Sequence, residues 1–203
     1  MQPTEAPRRL TSQNGAYGRS YERLSDGELV RRATSGDRQA LDVLVVRHSP
    51  RVNRLASQLI GDLEEARDAA QESLVKLCTR LRQYRGEAQF GTWLHRLVVN
   101  TCRDRLARQK VRRAEPLPDE DSPAADEADP ALTVHLTDLR RDLADALGRL
   151  SPKQRIAVVL RDSFGLSYEE IARVASVPVG TAKCHVHRAR ARVKARLEEL
   201  AKA

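Results

Sequence analysis

Aromatic side chains are scarce in this chain, with one Trp, four Tyr and two Phe among 203 residues. A large β-sandwich or barrel leans on aromatic and β-branched residues, so the scarcity argues for helices built from Leu, Ala and Val. Cysteine is sparse too. Cys78, Cys102 and Cys184 sit singly inside helical patterns, in no CxxC or disulfide-like spacing, which excludes a disulfide scaffold and suits a reducing cytoplasm. No run of 18 apolar residues occurs, so a transmembrane helix is excluded. Met1 to Arg23 is polar and has no apolar stretch of the kind a secretory signal requires. P-loop, GxGxxG, GxSxG and HExxH patterns are all missing, and nothing else resembles a catalytic constellation, so the chain is expected not to be an enzyme.

What is abundant is charge. Lys and Arg number 36 against 28 acids, a formal +8, and a basic balance of this size points to a polyanionic partner. The distribution is uneven. From Ala114 to Ala131 there are seven acids, no base and four of the nine prolines. Proline is excluded from helix interiors and like charges repel, so this stretch reads as an extended, solvated linker. Its 18 residues could span roughly 60 Å at about 3.3–3.6 Å each. The rest of the chain holds 36 bases against 21 acids, or +15. The division expected is an N-terminal extension over 1–23, a domain over 24–113, the linker over 114–131 and a second domain over 132–203.

In the first domain Ser25-Asp-Gly-Glu28 is a capping-box pattern, and Gly36-Asp37 ends one helix and starts the next. Pro50 either kinks that second helix or stands at the first position of a new one capped by Ser49. Asp62 caps a further helix whose inward face reads Ala66, Ala70, Leu74, Leu77, Leu81. Away from that face lie Glu64, Asp68, Gln71, Glu72 and Val75. An acidic strip repels DNA, so it suits a protein partner, or else it is a solvated face supported by pairs such as Glu72 with Lys76. Residues 84–93 then hold three of the seven aromatics, Tyr84, Phe90 and Trp93, broken by two glycines. A helix from Trp93 to Lys110 follows, with Leu94, Leu97, Val98 and Thr101 inward and a basic tail that includes Arg103. Rings beside arginines fit single-stranded nucleic acid, which needs faces for stacking and cations for phosphate. Phe90 and Trp93 fit a core plug equally.

In the second domain Leu139, Leu143, Ala146, Leu147 and Leu150 form one apolar stripe, and Ser151-Pro152 starts another helix carrying Ile156, Val159 and Leu160. Ser167-Tyr-Glu-Glu170 is a second capping box, opening a short helix that Ser176-Val-Pro178 breaks. A long basic helix follows, with Ala182, Val186, Ala189, Val193, Leu197 and Leu200 on its apolar stripe. A short capped helix, a tight turn and a basic second helix make a helix-turn-helix. Thr181, Lys183, Cys184, His187 and Arg188, near the start of the second helix, are the candidate base and phosphate readers. Cys184-His-Val-His187 is no metal site, because residues two apart on a helix diverge. Neither a metal nor a cofactor is expected.

Four segments, in order, resemble the extracytoplasmic-function (ECF) group of sigma-seventy-type RNA polymerase subunits. They are Asp68-Ala-Ala-Gln71-Glu72, Phe90-Gly-Thr-Trp93-Leu-His-Arg-Leu-Val-Val-Asn100, Gly165-Leu-Ser-Tyr-Glu-Glu-Ile-Ala172 and Pro178-Val-Gly-Thr-Ala-Lys183. The resemblance runs from about Leu24 to Leu200. It implies an all-α fold of two small helical domains, region two and region four, joined by the acidic linker. It further implies a cytoplasmic protein that binds core RNA polymerase and promoter DNA, without membrane insertion, and that meets an anti-sigma factor. By the same resemblance Asp68, Gln71 and Glu72 dock on core polymerase. Tyr84, Arg85, Phe90, Asn100 and Arg103 capture single-stranded DNA of the minus-ten element. Thr181, Lys183, Cys184, His187 and Arg188 read the minus-thirty-five duplex. Cys184 and His185 stand where relatives often have Ser and Arg. A free-standing helix-turn-helix repressor or activator is the alternative, and it would bind duplex tightly without polymerase.

Overall fold

The computed structural model describes residues 20–114, 139 and 141–202. The N-terminal extension up to residue 19 and the acidic linker beyond Ala114 lie outside the described residues. Among the described residues every regular element is helical.

Helix α1 (Asp26–Thr34) starts at the predicted capping box: Ser25 accepts from the Glu28 amide while Glu28 reaches back to the Ser25 amide. Helix α2 (Arg38–Leu59) is capped by Asp37 and runs unbroken through Pro50. The sequence left a kink or a restart open at that point. Proline has no N–H for the Val46 carbonyl, one turn earlier. The Ser49 hydroxyl donates to that carbonyl instead, at 3.3 Å, so the helix continues. Helix α3 (Leu63–Arg80) begins at Asp62, which accepts from the Glu65 amide at 2.8 Å. Its inward stripe holds Ala66, Ala70 and Leu77 as expected, with Leu74 only half-buried and Ala69 and Ser73 buried beside them. A single 3-10 turn (Leu81–Gln83) and a loop lead to helix α4 (Phe90–Ala114), which is longer at both ends than predicted.

These four helices pack into the first domain, α2 against α3, α3 against α4 and α1 against α2. Helix α4 is central. Leu94, Leu97, Val98 and Thr101 are buried as the periodicity predicts, and His95, Val99 and Cys102 are buried as well. A helix covered on so many sides needs a second body beyond its own bundle, and the second domain supplies it.

That domain opens with a helix over 141–148 (α5). Ala146 and Leu150 are buried, but Leu139 and Leu143 of the predicted stripe remain 61% and 41% exposed. Helix α6 (Pro152–Asp162) carries Ser151 as its cap and proline in its first turn, and Ile156, Val159 and Leu160 are buried. Gly165 turns the chain at φ +70, a conformation open to glycine without a Cβ clash. Helix α7 (Tyr168–Ala175) has the second capping box, Ser167 with Glu170. Helix α8 (Val179–Leu200) follows, burying Ala182, Val186 and Ala189 against α6 and α7. The two domains touch directly, α4 against α7 and α2 against α6, and their buried residues form one cluster.

The turn between α7 and α8 passes through Ser176 at φ 57, ψ 51, a left-handed conformation, with its side chain exposed. For a residue with a Cβ this costs about 1–2 kcal/mol. Ser176→Gly is expected to stabilise the second domain by about 0.5–1 kcal/mol after glycine's greater chain entropy is deducted. Urea melts of wild type and variant check this, and a lower midpoint for the variant would show that the turn is not strained.

Candidate nucleic-acid and partner interfaces

The acidic strip lies on α3, and the structure divides it. Arg105 of α4 reaches across to Glu65 at 2.7 Å, Asp68 at 3.2 Å and Glu72 at 3.4 Å. Glu72 also pairs with Lys76 at 2.7 Å. Lys76, and then Arg105, hold its carboxyl below the usual range. Glu72 is therefore committed inside the domain, through the very pair its spacing with Lys76 suggests. Asp68 keeps a 60% exposed side chain. Gln71 is exposed beside it, and Val75, one turn on, presents an apolar side chain to solvent at 61%. One carboxylate, one amide and one exposed valine on one face form a compact surface for a protein partner.

The aromatic loop is more ordered than its glycines imply. Phe90 is only 5% exposed. Its ring meets His48 edge-on at 5.1 Å and Tyr84 edge-on at 5.7 Å, and stacks on Trp93 at 5.8 Å, so it presents no free face for a base. Phe90 is the core plug here. Tyr84 is half-buried and donates its hydroxyl to the Ala88 carbonyl at 2.6 Å, which pins the loop. Arg85 is exposed at the loop tip and Asn100 is exposed on α4. Trp93, Arg96 and Asn100 share one face of α4, and with Lys76 and Arg80 of α3 they line a shallow polar cleft of about 200 Å³. Arg80 and Arg96 were missed from sequence. The signal for Arg96 was present, since 93, 96 and 100 fall on one helical face. Arg80 comes from another helix, and only the packing of α3 on α4 brings it there.

Arg103 is not on that face. It donates to the Ala175 carbonyl of α7 at 3.2 Å, and burial lowers its pKa from the ordinary arginine value. The other end of the same contact is Thr92, whose hydroxyl donates to Glu170 at 3.0 Å. Glu170 is the capping-box acid of α7, and the Ser167 amide is the main group holding its carboxyl below the usual range.

On α8, Lys183, Cys184, His187 and Arg188 are exposed and Thr181 is half-buried. Lys183 stands 5.7 Å from the Tyr168 ring centroid. Further along, Arg190 pairs with Asp162 at 3.1 Å, Arg192 donates to Gln154 at 3.1 Å and Arg196 pairs with Asp145 at 2.7 Å. The basic C-terminal half of α8 is thus engaged with partners inside the domain, and the free cations lie toward its N-terminal half. A cleft of about 930 Å³ separates this helix-turn-helix from the loop, with Tyr84, Arg85, Trp93 and Arg96 on one wall and Arg173, Val177 and Val179 on the other. Among the described residues no group of His, Cys, Asp or Glu is placed to hold a metal ion, and no helix is long and apolar enough to cross a membrane.

A helical bundle with an aromatic loop, followed by a helix-turn-helix with a free basic N-terminal half, defines a two-domain nucleic-acid-binding protein. Comparison with known proteins narrows the class. Residues 44–112 match Sigma-70 region 2, and residues 140–193 match Sigma-70, region 4. The RNA polymerase sigma-H factor of Pseudomonas aeruginosa is 35% identical over 187 residues, covering 86% of this chain and 95% of that one. The ECF RNA polymerase sigma-E factor of Haemophilus influenzae is 33% identical, covering 88% and 98%. A solved structure of CnrH in complex with the cytosolic domain of CnrY is similar with a TM-score of 0.62 at 25% identity, covering 86% and 97%. The chain belongs to the ECF sigma factors of the sigma-70 family, and its function is that of an RNA polymerase sigma factor in promoter recognition and transcription initiation.

Where the domains meet, Arg51 of α2 donates its Nε–H to His95 Nε2 at 2.8 Å, and Phe164 meets the His95 ring edge-on at 5.3 Å. Nε2 accepts, so the folded ring is neutral with its proton on Nδ1. Burial, and then the Arg51 charge, push its pKa down to about 4. The unfolded ring titrates near its ordinary 6.5. Between these values the unfolded chain binds the extra proton, so stability from His95 is complete above about pH 6.5 and is lost as pH falls toward 4. Urea midpoints at pH 7, 6 and 5 are expected to fall, and His95→Gln, whose side-chain oxygen can still accept from Arg51, is expected to flatten the profile. Equal slopes for the two proteins would remove His95 as the titrating group.

Proposed function

We propose that this sigma factor works by assembly and strand capture, without covalent chemistry, in the cytoplasm. Residues 24–113 act as region two, 132–203 as region four, and 114–131 as the tether between them. Core polymerase docks on Asp68 and Gln71, with Val75 adding apolar contact. Glu72 serves mainly to fix Arg105 and Lys76 beneath that surface. The non-template strand of the minus-ten element enters over Arg85, Trp93, Arg96, Asn100 and Arg80, and Tyr84 shapes the loop. Arg103 joins this set once it leaves Ala175. Thr181, Lys183, Cys184, His187 and Arg188 read the minus-thirty-five element in the major groove, where cysteine and histidine offer weaker phosphate contacts than arginine.

The observation that carries this reading is the sorting of cations. Those on the far half of α8 are tied to acids and amides within the domain, and those facing the cleft and the start of α8 are free. An anti-sigma factor is a fitting protein partner, since the sigma factor RpoE of Bartonella quintana, of similar fold, was solved with the anti-sigma factor NepR bound.

Run-off transcription with purified core polymerase tests the function: promoter-dependent transcripts are expected, and duplex binding with no transcript from any genomic template would favour a free-standing regulator. In the same assay Asp68→Lys with Gln71→Ala is expected to lower affinity for core at least tenfold, with far-UV circular dichroism unchanged. Retained affinity would mean that core docks on another face.

A further inference from the structure

Two arginines of this protein are buried without an acid. Arg190 and Arg196 show the ordinary case: each bonds a carboxylate, Asp162 and Asp145 respectively, and that bond raises its pKa. Arg103 of α4 and Arg155 of α6 are the opposite case. Burial lowers the pKa of both, and no acid offsets it. Among the described residues their acceptors are uncharged backbone carbonyls. Arg103 donates to Ala175 at 3.2 Å. Arg155 donates to Leu147, Leu59 and Gly148 at 2.8, 2.9 and 2.6 Å. A guanidinium has five N–H donors and stays charged at any pH the protein meets, and a part-buried charge without a counter-ion is unfavourable.

Both arginines line one cavity. It measures about 230 Å³ and lies between region two and region four. Leu59, Leu106 and Ile156 give it apolar walls, and among the described residues no Asp or Glu lines it. Cys102 lines it as well, but burial pushes that thiol up to about 12, so it adds no negative charge. Arg155 stands in the opening turn of α6, where the helix dipole favours an anion.

These walls restrict what can occupy the space. A liquid water takes about 30 Å³, so there is room for more than one solvent molecule or a bare ion. The volume is below the roughly 300–1,000 Å³ of pockets for drug-sized ligands, so the occupant is compact. It must carry negative charge for the arginines and apolar surface for Leu59, Leu106 and Ile156. A phosphate would set hydrated oxygens against an apolar wall that offers them no partner. A carboxylate is planar, pairs with a guanidinium through two parallel bonds, and leaves the rest of its molecule apolar.

We infer that this cavity is a binding site for a compact organic carboxylate, with its carboxyl group on Arg103 and Arg155 and its apolar body against Leu59, Leu106 and Ile156. Arg103 comes from region two and Arg155 from region four, so one small molecule is held by both domains at once.

Methyl NMR of the full chain, with leucine and isoleucine methyls labelled, tests this with hexanoate as the probe. The methyl signals of Leu59, Leu106 and Ile156 are expected to shift and to saturate below about 10 mM, as a ligand of about millimolar Kd does. Hexan-1-ol lacks the charge and inorganic phosphate lacks the apolar body, and each is expected to bind at least tenfold more weakly, the size of one lost charge-assisted bond. Arg103→Gln, which keeps a donor for the Ala175 carbonyl, is expected to weaken hexanoate about tenfold and to leave hexan-1-ol unchanged. A loss of packing would weaken both. Leu106→Phe, from its half-buried position, is expected to fill the cavity and abolish the shifts while the amide spectrum stays that of a folded protein. Hexan-1-ol binding as well as hexanoate would reduce the site to an apolar void, and phosphate binding as well would reduce it to an unspecific anion contact. Either result overturns the assignment, as do shifts that never saturate and hexanoate binding that survives Leu106→Phe. Neither DNA nor polymerase enters the titration, so its outcome is independent of the transcription assay.

Discussion

Helix α4 has to be covered on nearly every side between Leu94 and Cys102, and the rest of the molecule follows from that. Its sequence there interleaves Leu94, Leu97 and Val98 with His95, Val99 and Cys102, so one apolar stripe cannot bury it. The region-two helices cover the first set. The second set lies toward α2 and the neighbouring domain, where His95 meets Phe164 and Cys102 lines a cavity with Leu59 and Ile156. A histidine in that position must stay neutral and must have a donor, and Arg51 provides it. The domain contact thereby has a chemical condition attached to it as well as a shape.

The partition of charge follows a second rule. Several acids of the two domains are engaged by a base: Glu65, Asp68 and Glu72 by Arg105, Asp145 by Arg196, Asp162 by Arg190. Pairs this exposed add little to stability. Their effect is to decide which cations are left over, and those include Arg85 and Arg96 at the cleft and Lys183 and Arg188 toward the start of α8.

Much of this was legible in the sequence because helix signals are local. Both capping boxes, the Asp62 cap, the Ser151-Pro152 start and the helix-turn-helix stand where their residues predict, since each depends on contacts three or four positions apart. What was not legible depended on contacts between elements. The loop aromatics could have been stacking faces or a plug, and only the neighbours His48 and Tyr84 assign Phe90 to the plug. Arg103 reads as one more base in a basic tail until Ala175 is placed opposite it. Leu139 and Leu143 fit an inward stripe by spacing, yet they stay at the surface because no described helix lies over them. Arg80 has no relation in sequence to Asn100 and reaches its cleft through packing alone.

Pro50 gives α2 a mechanical character of its own. The rung at Val46 is held by a Ser49 hydroxyl, at 3.3 Å, in place of a backbone amide. A side-chain rung at that length is weaker than the amide rungs around it. Helices usually fray from their ends, but this one carries its softest point near the middle of 22 residues. The amide ladder of α2 is thus interrupted between a half bearing Ala40 and Leu44 and a half ending in Leu59, whose carbonyl accepts from Arg155 of the second domain.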